Sequence, residues 1–260
     1  MKFLSYNLRN GLIREERQTD VWNNWRFRRD AVLALIGRAD PDVLALQEDC
    51  DEQFKNVADA LKDTHTAWRH PAFYEADTCY DAIFVRSTLT VTGSGALWIA
   101  GDGKTEAKID GSLCFRHATY VRLKDPALLI VNVHLDHSDV PAVKRQEIEV
   151  FCALLRALAG TPPVRAIVMG DFNSTPDREP PQLMQSCGWR DAARLANDAR
   201  PTAIHWQTEP ASERIDYVWL SDDLAGKLVA YDVLSGAYRR ADGNDGHASD
   251  HSAVFARADV

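Results

Sequence analysis

Residues 167–173 read Ile-Val-Met-Gly-Asp-Phe-Asn, a short apolar run that ends in polar side chains. A run of this length and composition is typical of a buried strand. If the backbone stays extended, Asp171 and Asn173 point to one side of the chain, and Phe172 points to the other side, into the core. The stretch therefore predicts a buried strand whose carboxyl end presents a carboxylate and a carboxamide together.

Similar apolar runs recur along the chain, and together they indicate the fold class. Runs that meet polar residues in the same way lie at residues 3–8, 42–47, 128–133 and 215–220. Helical patterns lie at residues 25–39, 52–62 and 140–159, whereas the apolar runs at 81–86, 88–97 and 113–123 are joined by short turns. This mixture predicts an α/β fold with partly antiparallel sheets covered by helices on their outer faces. Ligands of such folds gather at strand termini, so the polar strand ends predict one shared site.

The composition is that of a globular protein without internal boundaries. Of the 260 residues, 45% are hydrophobic and 26% are charged, which is the ordinary balance of a folded domain. No linker, low-complexity tract or tandem repeat divides the sequence, so we predict a single domain over residues 1–260. The formal net charge of −8 repels polyanions and argues against a general nucleic-acid coat.

Two further features concern the cellular setting. Residues 1–10 lack the parts of a signal peptide, and no apolar run approaches the ~18 residues that span a bilayer. We therefore expect a cytoplasmic protein with no membrane span. Its five cysteines are scattered and form no Cys-x-x-Cys pair, which argues for reduced thiols and against a disulfide framework or a structural zinc site.

The carboxylate and carboxamide of the opening stretch have a chemical and a structural interpretation. Asp171 can orient a water molecule, and Asn173 can donate a hydrogen bond to a developing oxyanion. Alternatively the segment is a simple turn, because Asn-Ser-Thr-Pro at residues 173–176 is typical turn chemistry.

A second candidate group lies in the last third of the chain. Asp250 and His251 precede the apolar run at 253–256, and adjacent residues of an extended chain face opposite ways. The carboxylate could face a metal and the imidazole a phosphate oxygen or water, or the pair could cap a turn. Asp216 sits in an apolar run and needs a partner, because a buried unpaired carboxylate is costly. Either His251 or Arg214 can supply that partner.

Three further strand-end residues complete the candidate set. Glu48 follows the run at 42–47 and suits a hard divalent cation, which prefers oxygen ligands; alternatively it caps the next helix. Asn7 either joins the site or satisfies backbone groups in the core. His134 ends the run at 128–133, where a lone histidine is often a hydrogen-bonded structural residue.

The ordered set of these motifs resembles a known family. The stretches are Ser5-Tyr6-Asn7, Leu46-Gln47-Glu48, residues 132–137 (Asn-Val-His-Leu-Asp-His), residues 170–173 (Gly-Asp-Phe-Asn), residues 214–217 (Arg-Ile-Asp-Tyr) and Ser249-Asp250-His251. Together they resemble the endonuclease/exonuclease/phosphatase superfamily, and residues 132–137 are similar to its small standalone bacterial members. The resemblance implies a four-layer α/β sandwich, with two packed mixed β-sheets flanked by helices, and hydrolysis of phosphate esters with Mg²⁺ or Mn²⁺.

The resemblance also implies a catalytic role for five residues. Asp171 would orient or deprotonate the attacking water, and Asn173 would stabilise the transition state. His251, steadied by Asp216, would contact the scissile phosphate. His134 would bind phosphate or assist the leaving oxygen.

The implied metal ligands are Glu48 as the main ligand, Asn7 beside it, and Asp250 as a direct or water-mediated contact. The chemistry needs a cation, because a phosphate ester is anionic and resists attack by water. The expected function is that of a phosphodiesterase or nuclease on short, possibly single-stranded, nucleic acid or on a small phosphorylated substrate. A phosphomonoesterase on a sugar or lipid head group is the alternative, as is a binding protein that keeps the fold without turnover.

Three arginines are candidate substrate contacts. Arg26 lies in the basic aromatic stretch at 22–29, Arg239 lies in a similar stretch at 238–240, and Arg116 lies on the predicted strand at 113–123. Arginine forks suit phosphate groups, and aromatic faces suit bases. Alternatively, the arginines near Arg26 simply cover the exposed face of a helix.

Overall fold

The computed structural model describes residues 1–11, 21–69, 79–160, 165–207, 211 and 213–260. The strands are β1 (Lys2–Asn7), β2 (Val43–Gln47), β3 (His65–Trp68), β4 (Ile83–Arg86), β5 (Val91–Trp98), β6 (His117–Leu123), β7 (Leu128–His134), β8 (Ala166–Asp171), β9 (Trp189–Asp191), β10 (Asp216–Ser221), β11 (Leu228–Leu234), β12 (Ala237–Arg239), β13 (Asp245–His247) and β14 (Ala253–Ala258). The helices are α1 (Trp25–Ala39), α2 (Asp51–Leu61), α3 (Pro141–Ala159), α4 (Glu179–Ser186) and α5 (Ala192–Leu195).

Twelve of these strands form two six-stranded mixed sheets, and β12 and β13 form a separate hairpin. The first sheet has the order β11-β14-β1-β2-β4-β3, and the second has the order β5-β6-β7-β8-β10-β9. The parallel pairs β1/β2 and β7/β8 lie in the middle of the sheets, and α1 and α3 connect them. Parallel strands joined by a helix end at the same edge of their sheet, so each sheet presents two carboxyl ends together.

The layers follow from the alternation of side chains along each strand. Apolar residues of both sheets, among them Phe3, Ile130 and Met169, meet in a core between the sheets. The opposite face of the first sheet packs against α1, and that of the second sheet packs against α3. The predicted four-layer α/β sandwich, with two mixed sheets flanked by helices, is confirmed.

The inter-sheet core ends at one rim in polar residues. Asn7 continues the inward face that Phe3 begins on β1, and Gln47 does the same on β2. Between them and the second sheet, Gln47 Nε2 donates to Asn132 Oδ1 over 2.7 Å, and Asn132 Nδ2 donates to Leu46 O over 2.6 Å. These buried hydrogen bonds join the two sheets directly beneath the rim.

One predicted strand boundary is wrong. The expected run at 113–123 becomes a strand only from His117. The Asp136 carboxylate accepts hydrogen bonds from the Ser112 hydroxyl over 2.7 Å and from Cys114 N–H over 2.8 Å. These bonds keep residues 112–114 out of the sheet, so Arg116 precedes β6. In the described part of the chain, no helix is both long enough and apolar enough to cross a membrane.

Position 170 on β8 requires glycine, because no side chain fits there. Its replacement tests how closely β7 and β8 pack. Its φ is 149°, and a Cβ at this position would lie 1.8 Å from Val133 O on the neighbouring strand. We expect Gly170→Ala to lower the free energy of unfolding by about 4 kcal/mol, because backbone strain and overpacking add. The control Gly37→Ala lies on α1 with nothing within 4 Å of the new Cβ, and it should stabilise by about 0.5–1 kcal/mol. Urea unfolding of both variants checks this, and equal midpoints would contradict it.

Candidate active site

The polar strand ends meet at the rim between the two sheets. Asn7 pairs with Gln47 at the ends of β1 and β2, His134 pairs with Asp171 at the ends of β7 and β8, and Asp216 at the start of β10 lies opposite Asp171. A cavity of about 1220 Å³ opens over this rim. The predicted site residues that line it are Glu48, Arg116, His134, Asp171, Asn173, Asp250 and His251.

Asn7 joins the two sheets at the centre of the site. Its Nδ2 donates to Glu48 Oε1 over 3.1 Å and to Asp171 Oδ2 over 3.0 Å, and its Oδ1 accepts Arg9 N–H over 2.9 Å. A backbone N–H can only donate, so the Arg9 contact fixes which end of the amide faces the carboxylates. Asn7 thus also satisfies a backbone group, as the alternative interpretation expected.

Glu48 is an ionised carboxylate at the edge of the cavity. Its backbone has a φ of 58°, and its Oε2 accepts Asn10 N–H over 2.7 Å. Burial alone would raise the pKa of Glu48, but the Arg9 guanidinium and the Asn10 N–H outweigh it and lower the pKa below its usual value. Glu48 does not cap α2, because Cys50 is the N-cap residue of that helix and forms a capping box with Gln53.

Asp216 and His251 form a buried pair. His251 Nδ1 lies 2.9 Å from Asp216 Oδ2, whereas Arg214 directs its guanidinium to Asp191 Oδ2 over 2.6 Å. The partner of Asp216 is therefore His251 and not Arg214. Burial lowers the pKa of His251, but Asp216 and Asp171 more than offset this and raise the pKa above its ordinary value. His251 Nε2 faces the cavity 3.9 Å from Asp171 Oδ2.

His134 and Asn173 lie on the other side of Asp171. Asn173 Nδ2 lies 3.0 Å from His134 Nε2, and His134 Nε2 lies 3.6 Å from Asp171 Oδ2. Burial and the nearby Arg116 lower the pKa of His134 well below its usual value, so its imidazole is neutral and Nε2 accepts from the amide. The turn interpretation also holds, because Asn173 has a φ of 46° and its N–H donates to Asp171 Oδ1 over 2.7 Å.

Asp171 is a buried carboxyl group with a raised pKa. It is 1% exposed, and burial together with the neighbouring Asp216 raises its pKa to about 7. Because it shares Asn7 Nδ2 with Glu48, two carboxylates from different sheets approach the same nitrogen. A cation bound near these carboxylates would lower the pKa of Asp171.

The side chain of Asp250 faces the cavity, and its backbone binds the segment at residues 204–205. Asp250 O accepts N–H groups of Ile204 over 2.7 Å and of His205 over 3.1 Å. The carboxylate lies 3.4 Å from the Arg9 guanidinium. A second group could also hold a metal ion. It consists of one possible ligand atom from each of Asp171, Asp216 and His251, and these atoms lie within 4.8 Å of one another.

The three predicted substrate arginines are separated in the structure. Arg116 lines the cavity, with its Nη2 3.2 Å from His137 Nδ1. Arg26 lies over the ring of Phe27 and Arg239 pairs with Asp245 over 2.9 Å, and neither lines the cavity. Their contact with substrate stays a prediction.

Sequence reasoning missed two cations of the site. Lys144 on α3 donates to Asn173 O over 2.8 Å and to Asp136 O, which ties the loops after β7 and β8 together. Arg9 lies beside Glu48 and Asp250. A signal for Lys144 was present, because Lys144 and Glu147 lie on the same face of α3 as the buried Ile148.

Comparisons with known proteins identify the family. Residues 4–251 match the model of the endonuclease/exonuclease/phosphatase family. The chain belongs to this family. Among curated protein sequences, none matches this one. Members of the family are hydrolytic phosphoesterases.

Solved structures of similar fold include family members and proteins of related architecture. A mannosyl-6-phosphatase from Bacteroides thetaiotaomicron has a TM-score of 0.87 and 20% identity, with 100% of each chain covered. A family protein from Bacteroides vulgatus has a TM-score of 0.83 and 21% identity, with 99% of this chain and 98% of that chain covered. TDP2 from Caenorhabditis elegans has a TM-score of 0.72 and 19% identity, with 98% of this chain and 73% of that chain covered. At these identities the likeness concerns the fold.

Proposed function

We propose that this protein is a divalent-metal-dependent phosphoesterase that hydrolyses a small phosphorylated substrate or a short nucleic acid by in-line attack of water. The observation that carries the proposal is the hydrogen-bonded link from Glu48 through Asn7 to Asp171 at the floor of a large cavity. Family membership supports phosphoester hydrolysis in general.

The side chains of the site fit a hard divalent cation. Glu48 and Asp250 offer carboxylate oxygens at the cavity, which are the ligands that a hard divalent cation prefers. Asn7 brings Glu48 within reach of the Asp171 carboxylate through a shared amide nitrogen. Ligation by Asn7 beside Glu48 would require its amide to turn, because its Nδ2, and not its Oδ1, now faces the carboxylates of Glu48 and Asp171.

We favour Glu48 and Asp250 as ligands over the group of Asp171, Asp216 and His251. In that group the Nδ1 of His251 is already hydrogen-bonded to Asp216 over 2.9 Å, and Asp216 is 1% exposed. Asp216 does not line the cavity, whereas Glu48 and Asp250 both do, so a phosphate group has access to each of them. A bound Mg²⁺ or Mn²⁺ there would neutralise charge on the phosphate oxygens.

The remaining residues of the site have complementary tasks. Asp171 aligns the attacking water and accepts its proton, a task that suits a carboxylate with a pKa of about 7. His251 is held by Asp216 and donates from Nε2 to a non-bridging oxygen. Asn173 and His134 face the same space, and Asn173 can donate to the phosphate or its leaving oxygen once its amide exchanges the bond to His134 Nε2 or to Leu135 O.

The cavity favours a compact substrate. Its volume of about 1220 Å³ is only slightly above the range of about 300–1,000 Å³ that is typical of small-molecule sites. Arg116 is at the wall, whereas Arg26 and Arg239 are elsewhere, and the net charge of −8 disfavours long duplexes. Arg116 therefore is the first of the three arginines to consider as a phosphate contact.

Metal dependence is tested with a diester and a monoester. After removal of metal with EDTA, the protein should hydrolyse bis-p-nitrophenyl phosphate or p-nitrophenyl phosphate about 100-fold more slowly than with 5–10 mM Mg²⁺ or Mn²⁺. Adding the metal back should restore the rate. A folded protein with no activity under any metal would instead support a binding protein that keeps the fold.

Natural substrates are then compared in one screen. Dinucleotides, short single-stranded oligonucleotides, hexose 6-phosphates and phospholipid head groups separate the diesterase from the monoesterase. The mannosyl-6-phosphatase among the structural neighbours makes mannose 6-phosphate a useful member of this set. Turnover restricted to monoesters would replace the diesterase proposal with the phosphatase alternative.

A further inference from the structure

Arg28 is a buried arginine on the inner face of α1. It is 0% exposed, which is rare for arginine because a desolvated charge needs many partners. Its guanidinium lies 5.2 Å from the ring centre of Trp25 and 5.4 Å from that of Trp206. Aromatic faces at these distances stabilise a buried cation.

The guanidinium donates to backbone carbonyls of separate segments. Nη1 donates to Leu8 O and, over 2.9 Å, to Ala248 O, which is 220 positions away in sequence. Nη2 donates to Arg9 O, and Nε donates to Asn23 O over 2.9 Å. A planar fork with several N–H groups can reach such diverging carbonyls at once.

These carbonyls flank the residues of the proposed site. Leu8 and Arg9 follow Asn7, and their segment continues to Asn10, whose N–H binds Glu48. On the other side, Ala248 directly precedes the segment that carries Asp250 and His251. Arg28 therefore connects the start and the end of the chain next to the proposed metal ligands.

Gln53 on α2 supports the first of these segments. Its Nε2 donates to Arg9 O over 2.9 Å and to Leu8 O over 3.3 Å, and its Oε1 accepts Gly11 N–H over 3.0 Å. Arg9 has a φ of 53°, a left-handed conformation that a non-glycine residue adopts at a cost. The carbonyl contacts of Arg28 and Gln53 compensate for that cost.

We propose that Arg28 and Gln53 are positioning residues that hold the segments at 7–10 and 248–251 in register, and thereby set the geometry of Glu48, Asp250 and His251 toward metal and phosphate. This proposal rests on the proposed function. It extends the site to residues on α1 and α2 that do not line the cavity.

The test uses two variants and a matched control in the full chain. Arg28→Lys keeps the charge but lacks the fork, and Gln53→Met keeps the size but lacks both polar atoms. Arg38→Lys is the control, because Arg38 is exposed in the last turn of the same helix. Circular dichroism and urea unfolding report the fold, calorimetry with Mn²⁺ reports metal affinity, and bis-p-nitrophenyl phosphate hydrolysis reports kcat and KM.

In folded Arg28→Lys we expect the Kd for Mn²⁺ to rise about 10-fold and kcat at saturating metal to fall about 100-fold, since small displacements of a reacting group reduce rate steeply. KM should change less than about threefold, because no substrate contact is removed. In Gln53→Met the Kd for Mn²⁺ and kcat should change in the same directions but by smaller factors. Arg38→Lys should match the wild type.

Two results would overturn the proposal. Folded variants with wild-type Kd and kcat would show no positioning role, and loss of the fold in both variants would make the role purely structural. The wild type separates this proposal from the proposed function. If it neither binds Mn²⁺ nor hydrolyses a phosphate ester, the proposed function itself fails.

Discussion

Replacing Asp171 with Asn is expected to reduce kcat by about 10²–10⁴-fold while leaving the fold intact. The oxygen of the new amide can still accept Asn173 N–H, but its NH₂ group then faces the NH₂ group of Asn7, so that hydrogen bond is lost. The amide cannot accept a proton from water, so the proposed base is lost. Relief of the crowding with Asp216 offsets part of the lost hydrogen bond, and the free energy of unfolding should change by less than about 2 kcal/mol.

The measurement is steady-state hydrolysis of bis-p-nitrophenyl phosphate at saturating Mg²⁺, with urea unfolding in parallel. Asp59→Asn, an exposed change on α2, is the control for the loss of one negative charge. A kcat for Asp171→Asn equal to that of the control would remove Asp171 from the proposed chemistry.

Replacing Glu48 with Gln is expected to weaken Mn²⁺ binding by about 100-fold or more, because it removes an anionic oxygen ligand. The cost in stability should be smaller, about 1–2 kcal/mol. Each oxygen of Glu48 now accepts one hydrogen bond, from Asn7 Nδ2 and from Asn10 N–H. The Gln side chain has a single oxygen, so one of these two hydrogen bonds is lost.

Calorimetric titration with Mn²⁺ measures this loss directly, and the Mg²⁺ concentration for half-maximal hydrolysis should rise in step. Glu52→Gln in the first turn of α2 is the matched control, because that carboxylate is exposed. Unchanged Mn²⁺ affinity in Glu48→Gln would transfer the metal to other residues, of which Asp171, Asp216 and His251 are the first to test.

The sequence predicted the layers of the fold because alternation along the central strands is strong. Helix α1 has the predicted bounds of 25–39, and α2 and α3 differ from the predictions by about one residue. Strand β11 was missed because its residues are only partly buried, so its alternation is weak. Helix α4 was missed because its start, Glu-Pro-Pro, resembles a loop, although proline is well accepted in the first turn of a helix.

The strand period predicts which residues lie at the rim where they extend a strand face, and it gives no information where loop backbone decides. Asn7 and Asp171 follow inward-facing apolar residues and Asp216 precedes them, so the strand period finds all three. Arg28 belongs to the basic stretch that was interpreted as the exposed face of a helix. Its partner Ala248 O lies 220 positions away in sequence, so no local sequence pattern shows that Arg28 is buried. Arg9 and Lys144 likewise act on loops whose shape no periodicity specifies.

Anomalous diffraction from a crystal of the protein soaked in Mn²⁺ would locate the metal directly. We expect a manganese peak in the cavity that the Glu48 carboxylate coordinates, with Asp171 and His251 facing the open side of the ion. A peak held by Asp171, Asp216 and His251 without Glu48, or no peak at this rim, would contradict this expectation.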